Sequence, residues 1–167
     1  MTNIVPEWMR HPVRAVTEAM HGFDRAHAEA SSEAGEARPR ARVLCVDDNP
    51  QVLRLLKRQL GDIFDLSIAQ TAQDALALLS AEQPFDVIVS DLRMPEVHGL
   101  TFLKKARELY PSTERIILTG LPDPATMSVA RSAGGAEQLI VKPWTKAELV
   151  AAVEHAVLRR QESAANR

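Results

Sequence analysis

From Arg42 onward, short apolar runs alternate with stretches whose apolar residues recur at helical spacing. Five runs read as strands: Val43–Val46, Leu66–Ala69, Phe85–Ser90, Arg115–Leu118 and Gln138–Val141. Amphipathic segments at 50–60, 72–81, 98–109, 124–133 and 145–158 lie between and after them, each long enough for a crossover between parallel strands. Strict alternation of this kind predicts βαβ units and a doubly wound, five-stranded parallel sheet of the α/β class. Start and stop signals agree. Asp123-Pro124 is a helix cap followed by proline at the first helical position, Thr145 with Glu148 forms a capping box, and Gly134-Gly135 closes the fourth helix.

The residues ahead of this pattern follow other rules. Ala26 to Arg42 reads AHAEASSEAGEARPRAR, with no large apolar side chain to anchor it, and is expected to be a linker. Pro12 to about Ala30 could form a helix, with Met9, Val13, Val16, Met20, Phe23 and Ala30 along one stripe that Gly22 and His27 interrupt. His11, His21 and His27 share no facing arrangement with a carboxylate, so solvated histidines are expected rather than a zinc site. The expected division is an N-terminal extension at 1–41, a domain at 42–158 and a disordered tail at 159–167.

Composition then narrows the function classes. At 167 residues the chain has the length of one domain with some to spare. A net charge of −2 offers no basic field for nucleic acid, so direct binding to it is not expected. No stretch approaches the length of a membrane span, and the N-terminus lacks a signal peptide's apolar run. Cys45 is a lone cysteine, without a partner for an internal disulfide or a CxxC site. A cytoplasmic protein is the expectation.

In an open parallel sheet ligands bind beyond the carboxyl ends of the strands. The residues there are Asp47 and Asp48 after the first run, Asp91 after the third, Thr119 after the fourth and Lys142 after the fifth. Taken singly, Asp47-Asp48-Asn49-Pro50 reads as a turn and helix cap, Asp91 as a helix-entry turn and Thr119 as an ordinary strand end. Turns do not explain all five together. Three carboxylates converging on one crevice repel unless a cation joins them; Mg²⁺, with its preference for oxygen ligands, resolves this, and Lys142 adds a fixed positive charge. A metal beside a carboxylate and a lysine suits phosphoryl chemistry on Asp91 itself, with Thr119 donating to the group once it arrives.

The motifs VLCVDDNP, VIVSDLRMPEVHG, ILTG and VKPW stand in the order and spacing of the receiver domain of two-component response regulators, which the chain resembles from Arg42 to about Leu158. The resemblance implies the flavodoxin-like (βα)₅ receiver fold. It implies Asp91 as phosphoacceptor, and Asp47, Asp48, Asp91 and the backbone carbonyl of Arg93 as ligands to Mg²⁺, with Mn²⁺ as the alternative ion. Thr119 would be the switch hydroxyl and Lys142 the phosphate-contacting lysine, followed by Pro143 across a bond typically cis. The implied donor is a sensor histidine kinase or a histidine phosphotransfer protein, and the receiver catalyses its own phosphorylation and dephosphorylation without a separate catalytic domain.

One position departs from the common pattern. Three residues before the lysine, where many receivers carry Tyr or Phe, stands Leu139, which cannot present a ring in two orientations. Trp144 is either core packing or part of a partner surface. After Leu158 only RRQESAANR remains, so the output is expected to be interaction with a downstream target protein or a second copy, through the fourth helix, fifth strand and fifth helix. Two rivals stand beside this reading. A phosphorylation-independent adaptor would keep the fold and lose the switch. A flavodoxin-like cofactor binder would need a phosphate loop where Asp47-Asp48-Asn49-Pro50 places carboxylates.

Overall fold

A computed structural model describes residues 39–81, 84–94, 99–120 and 123–166, and Pro39–Arg167 forms one compact unit. The N-terminal stripe, its three histidines and the linker up to Arg38 lie outside the described residues.

The element order is β1 (Arg42–Val46), α1 (Pro50–Leu60), β2 (Asp65–Ala69), α2 (Ala72–Ala81), β3 (Val87–Asp91), α3 (Gly99–Leu109), β4 (Glu114–Thr119), α4 (Pro124–Ser132), β5 (Gln138–Val141) and α5 (Lys146–Ala165). All neighbours in the sheet pair in parallel, in the order β2-β1-β3-β4-β5. The chain steps one way from β1 to β2 and the other way thereafter. With right-handed crossovers, that single reversal sends α1 to one face and α2, α3 and α4 to the opposite face.

The two apolar clusters show this division. Val43, Cys45, Val87, Val89, Ile116 and Leu118 point to the face covered by α1 and α5, where Leu53, Leu56, Leu60, Leu149 and Val153 meet them. Leu44, Val46, Ile88 and Ile117 point the other way, onto Ala75 and Leu79 of α2, Phe102 and Leu103 of α3 and Ala130 of α4. Strands apolar on both faces are what a sheet covered on both sides requires, and this is why the runs read as continuous rather than alternating. No helix among the described residues is long and apolar enough to cross a membrane.

Local signals set the helix starts. The Asn49 side chain accepts the Gln51 N–H ahead of Pro50, and Asp123 accepts the Thr126 N–H ahead of Pro124. Hydrogen bonds from Thr126 hold the Asp123 carboxyl below the usual carboxylate range. At α5 both halves of the Thr145–Glu148 capping box are made. At the other end of α4, Gly135 takes a positive φ of 61°, and Arg107 donates to the Ser132 carbonyl at 2.7 Å.

Two boundaries differ from the sequence reading by more than one residue. The third strand begins at Val87 rather than Phe85, because Phe85 turns into the core under the Arg42 guanidinium, 4.5 Å from its ring centroid, while Asp86 accepts the Arg42 N–H at 2.7 Å. The expected disordered tail at 159–167 is corrected through Ala165, since α5 continues to that residue. Its polar sequence gave no apolar stripe to follow. The first added residues are held instead by ion pairs, Arg159 with Glu114 at 3.0 Å and Arg160 with Asp86, which fasten the helix to the start of β4 and the residue just ahead of β3.

Candidate functional site

The reversal of direction between β1 and β3 leaves a crevice beyond their carboxyl ends, because the connections on either side leave in opposite directions. Register decides what lies in it. Val46 pairs with Ser90, and Asp91 pairs with Leu118, so Asp47 and Asp91 come level at neighbouring strand ends. Thr119 pairs with Val141, which places Lys142 one residue further along.

Asp47 is almost wholly buried, at 1% exposure, and Asp91 nearly so at 6%; Asp48 is exposed. The Lys142 ammonium bridges the two buried carboxylates, donating to Asp47 Oδ2 at 3.1 Å and Asp91 Oδ1 at 3.0 Å. The remaining oxygens take backbone donors: Asp47 Oδ1 accepts the Asn49 N–H at 2.9 Å and Asp91 Oδ2 the Arg93 N–H at 3.1 Å. The lysine is itself positioned through its backbone, since its N–H donates to the Thr119 carbonyl at 2.8 Å. The Lys142–Pro143 bond is cis.

Electrostatics explain why the arrangement is poised for a further cation. Burial pushes the Asp47 carboxyl above its usual range, and the Asp91 charge adds to this, against hydrogen bonds from Asn49 and Lys142 that favour the ionised form. Burial also works against the Lys142 ammonium, yet the hydrogen bonds to Asp91 and Asp47 outweigh it and hold that group above the ordinary lysine value. One ammonium cannot balance three carboxylates. Oxygens of Asp47, Asp48 and Asp91 lie within 4.8 Å of one another, an all-oxygen donor set that suits a hard divalent ion such as Mg²⁺ or Mn²⁺.

A family model, the response regulator receiver domain, matches residues 43–154. The chain belongs to that family. Receiver domains typically bind Mg²⁺ and are phosphorylated by histidine kinases or phosphotransfer proteins. Among relatives of this receiver is the hydrogenase transcriptional regulatory protein HoxA of Cupriavidus necator, 38% identical over 70% of this chain and 24% of its own length. The transcriptional regulatory protein TrcR of Mycobacterium tuberculosis is 36% identical over 71% of this chain and 46% of its own. The chain thus spans between about a quarter and a half of these two relatives, which are longer regulators. Among solved structures, chemotaxis protein CheY4 of Vibrio cholerae superposes with a TM-score of 0.67 at 30% identity, covering 70% of this chain and 98% of that one. The signal receiver domain of an HD domain-containing protein from Pseudomonas fluorescens gives 0.71 at 31% identity, over 76% and 93%.

The receiver's crevice gathers Asp47, Asp48, Asp91 and Lys142, with Thr119 buried beside them at the end of β4. Arg93 contributes through its backbone, and its side chain is exposed. Leu139 is half-buried against the cluster on the α4 face. Trp144 turns inward: it packs on the α1/α5 cluster and its indole N–H donates to Gln59 Oε1 at 2.9 Å.

Sequence reasoning did not single out Gly99. A β-carbon there would stand 2.2 Å from the Asp91 carbonyl oxygen and 2.8 Å from the Leu92 Cα, so the chain can fold back over the third strand end only at glycine. The Gly99 N–H closes that turn on the Leu92 carbonyl at 3.1 Å. Gly99→Ala is expected to cost about 1–3 kcal/mol, read by urea denaturation, and to displace Asp91; stability within about 0.5 kcal/mol of wild type would show that the turn yields freely.

Proposed function

We propose that this receiver is a phosphorylation-activated switch of a two-component phosphorelay, taking a phosphoryl group onto Asp91 from a phosphohistidine. The observation that carries this reading is the Lys142 ammonium held between the buried carboxylates of Asp47 and Asp91 at the sheet's switch point. An oxygen of Asp91 attacks phosphorus, the P–N bond to the donor imidazole breaks as the P–O bond forms, and the imidazole, already protonated on its other ring nitrogen, leaves neutral. Asp47, Asp48, Asp91 and the Arg93 carbonyl would hold a divalent ion, which would supply charge neutralisation for the incoming group.

The chain's own residues do the rest. Asp91 is almost enclosed, with one oxygen aligned by the Arg93 N–H and the other by the Lys142 ammonium. Lys142 moves its hydrogen bonds from the carboxylates to phosphoryl oxygens, where charge-assisted bonds are strongest. The Thr119 hydroxyl donates to the same group, and that attraction repositions the loop entering α4. Water later cleaves the aspartyl phosphate. The reset thus needs no separate catalytic domain, and the altered α4–β5–α5 face carries the signal to a protein partner.

The test is direct. Purified protein treated with acetyl phosphate is expected to give a retarded band on a phosphate-affinity gel with Mg²⁺ and none with a chelator; a band independent of Mg²⁺, or no band at all, would sink the reading.

A further inference from the structure

We infer that Trp144 and Gln59 form a positioning pair for Lys142, fixing the β5–α5 loop against α1 so that the ammonium stays where phosphoryl transfer needs it. The inference rests on the phosphoryl-acceptor reading for its functional meaning, and its geometry stands independently.

A lysine is a poor fixed charge unless something fixes it, because its four-carbon stem carries much rotamer freedom. On the strand side Lys142 is tethered by its N–H to the Thr119 carbonyl. On the helix side its neighbour Pro143 is exposed and has no N–H to give. The next hold is Trp144, whose ring packs on the α1/α5 cluster and whose indole donates to Gln59, 85 residues earlier in the chain. Thr145 then opens α5 as its cap.

Gln59 lies on α1, the helix that Asn49 opens directly after the acid pair, and Asn49 itself donates to Asp47. The pair therefore ties the loop bearing the ammonium to the helix that follows the carboxylates it must meet. A phenylalanine at this position would fill the same space but offer no donor. The indole N–H is thus the part of Trp144 that packing does not explain, and a half-buried donor with a dedicated side-chain acceptor fixes orientation as well as depth.

Three variants separate positioning from packing. Trp144→Phe keeps a ring and removes the donor, Gln59→Met keeps the length and removes the acceptor, and Gln59→Glu retains an acceptor oxygen. Melting temperatures near wild type are expected for all three. The rate of acetyl phosphate labelling with Mg²⁺ is expected to fall about threefold to tenfold in the first two, to stay near wild type in the third, and to fall no further in the Trp144→Phe/Gln59→Met double variant. A second readout needs no phosphoryl transfer. The Lys142 ammonium should give a slowly exchanging ¹⁵N-edited resonance in wild type, assigned by its loss in Lys142→Arg, which broadens in Trp144→Phe.

Wild-type labelling rates in both single variants, or losses that multiply in the double variant, would overturn the pair as a positioning device. So would a lysine resonance equally sharp in wild type and Trp144→Phe. Absence of labelling in wild type would instead defeat the phosphoryl-acceptor reading, and the lysine resonance would still decide the positioning question.

Discussion

Asp91→Asn is expected to abolish phosphoryl uptake altogether while leaving the fold intact. The substitution keeps the side chain's shape and one oxygen able to accept the Arg93 N–H, so that 3.1 Å bond is retained. The nucleophile is lost, because a neutral amide oxygen does not displace an imidazole. Asp91 is nearly buried and stands close to two other carboxylates, so losing its charge relieves repulsion, and thermal stability should hold or rise slightly. The acidic cluster falls from three carboxylates to two, and Mg²⁺ affinity should drop by about tenfold. Phosphate-affinity electrophoresis reads the first effect and calorimetric titration with Mg²⁺ the second. A retarded band in Asp91→Asn would move the acceptor role to another carboxylate.

Lys142→Met has the second-largest effect, and its parts have opposite signs. Phosphorylation by acetyl phosphate should fall by about 10²-fold, the usual loss when one preorganised donor to a charged transition state is removed. Mg²⁺ binding should tighten, because the ammonium that occupies Asp47 Oδ2 and Asp91 Oδ1 competes for the same oxygens. Without metal the variant leaves two buried carboxylates unmatched. That costs about 1–3 kcal/mol once the partial exposure of the lysine is allowed for, and Mg²⁺ should restore more stability to the variant than to wild type.

The pH dependence has a fixed direction. The folded-state pKa of Lys142 is raised by its carboxylate partners, so its contribution is fully present below the unfolded lysine value and disappears as pH rises through the folded one. Wild type and Lys142→Met should therefore differ most near neutrality and converge in strong alkali. Equal Mg²⁺ affinity in the two proteins would show that the ammonium does not compete with the ion.

Much of the site was legible because its residues sit where strands stop. Asp47, Asp91, Thr119 and Lys142 each follow or end an apolar run, and the rule that open parallel sheets bind ligands beyond those ends brings them together from the sequence alone. The helix caps at Asn49-Pro50, Asp123-Pro124 and Thr145–Glu148 were equally legible, since each acts within four residues. Pairings distant in the chain left no such trace. Nothing in the pattern of α1 marks Gln59 as the acceptor for an indole 85 residues later. Polar residues 159–165 read as tail because Arg159 and Arg160 find their carboxylates on β4 and just ahead of β3.

The sequence by itself determined the alternation of strands and helices, the caps and which five residues follow or end the strands at the crevice, because period, propensity and capping are local. Tertiary structure alone decided which oxygens Lys142 bridges, that Trp144 faces α1, that Gly99 must lack a side chain and that α5 runs on to Ala165. Those outcomes depend on strand register and on which helices share a face, and register is settled only when burial on both sides of the sheet is satisfied at once.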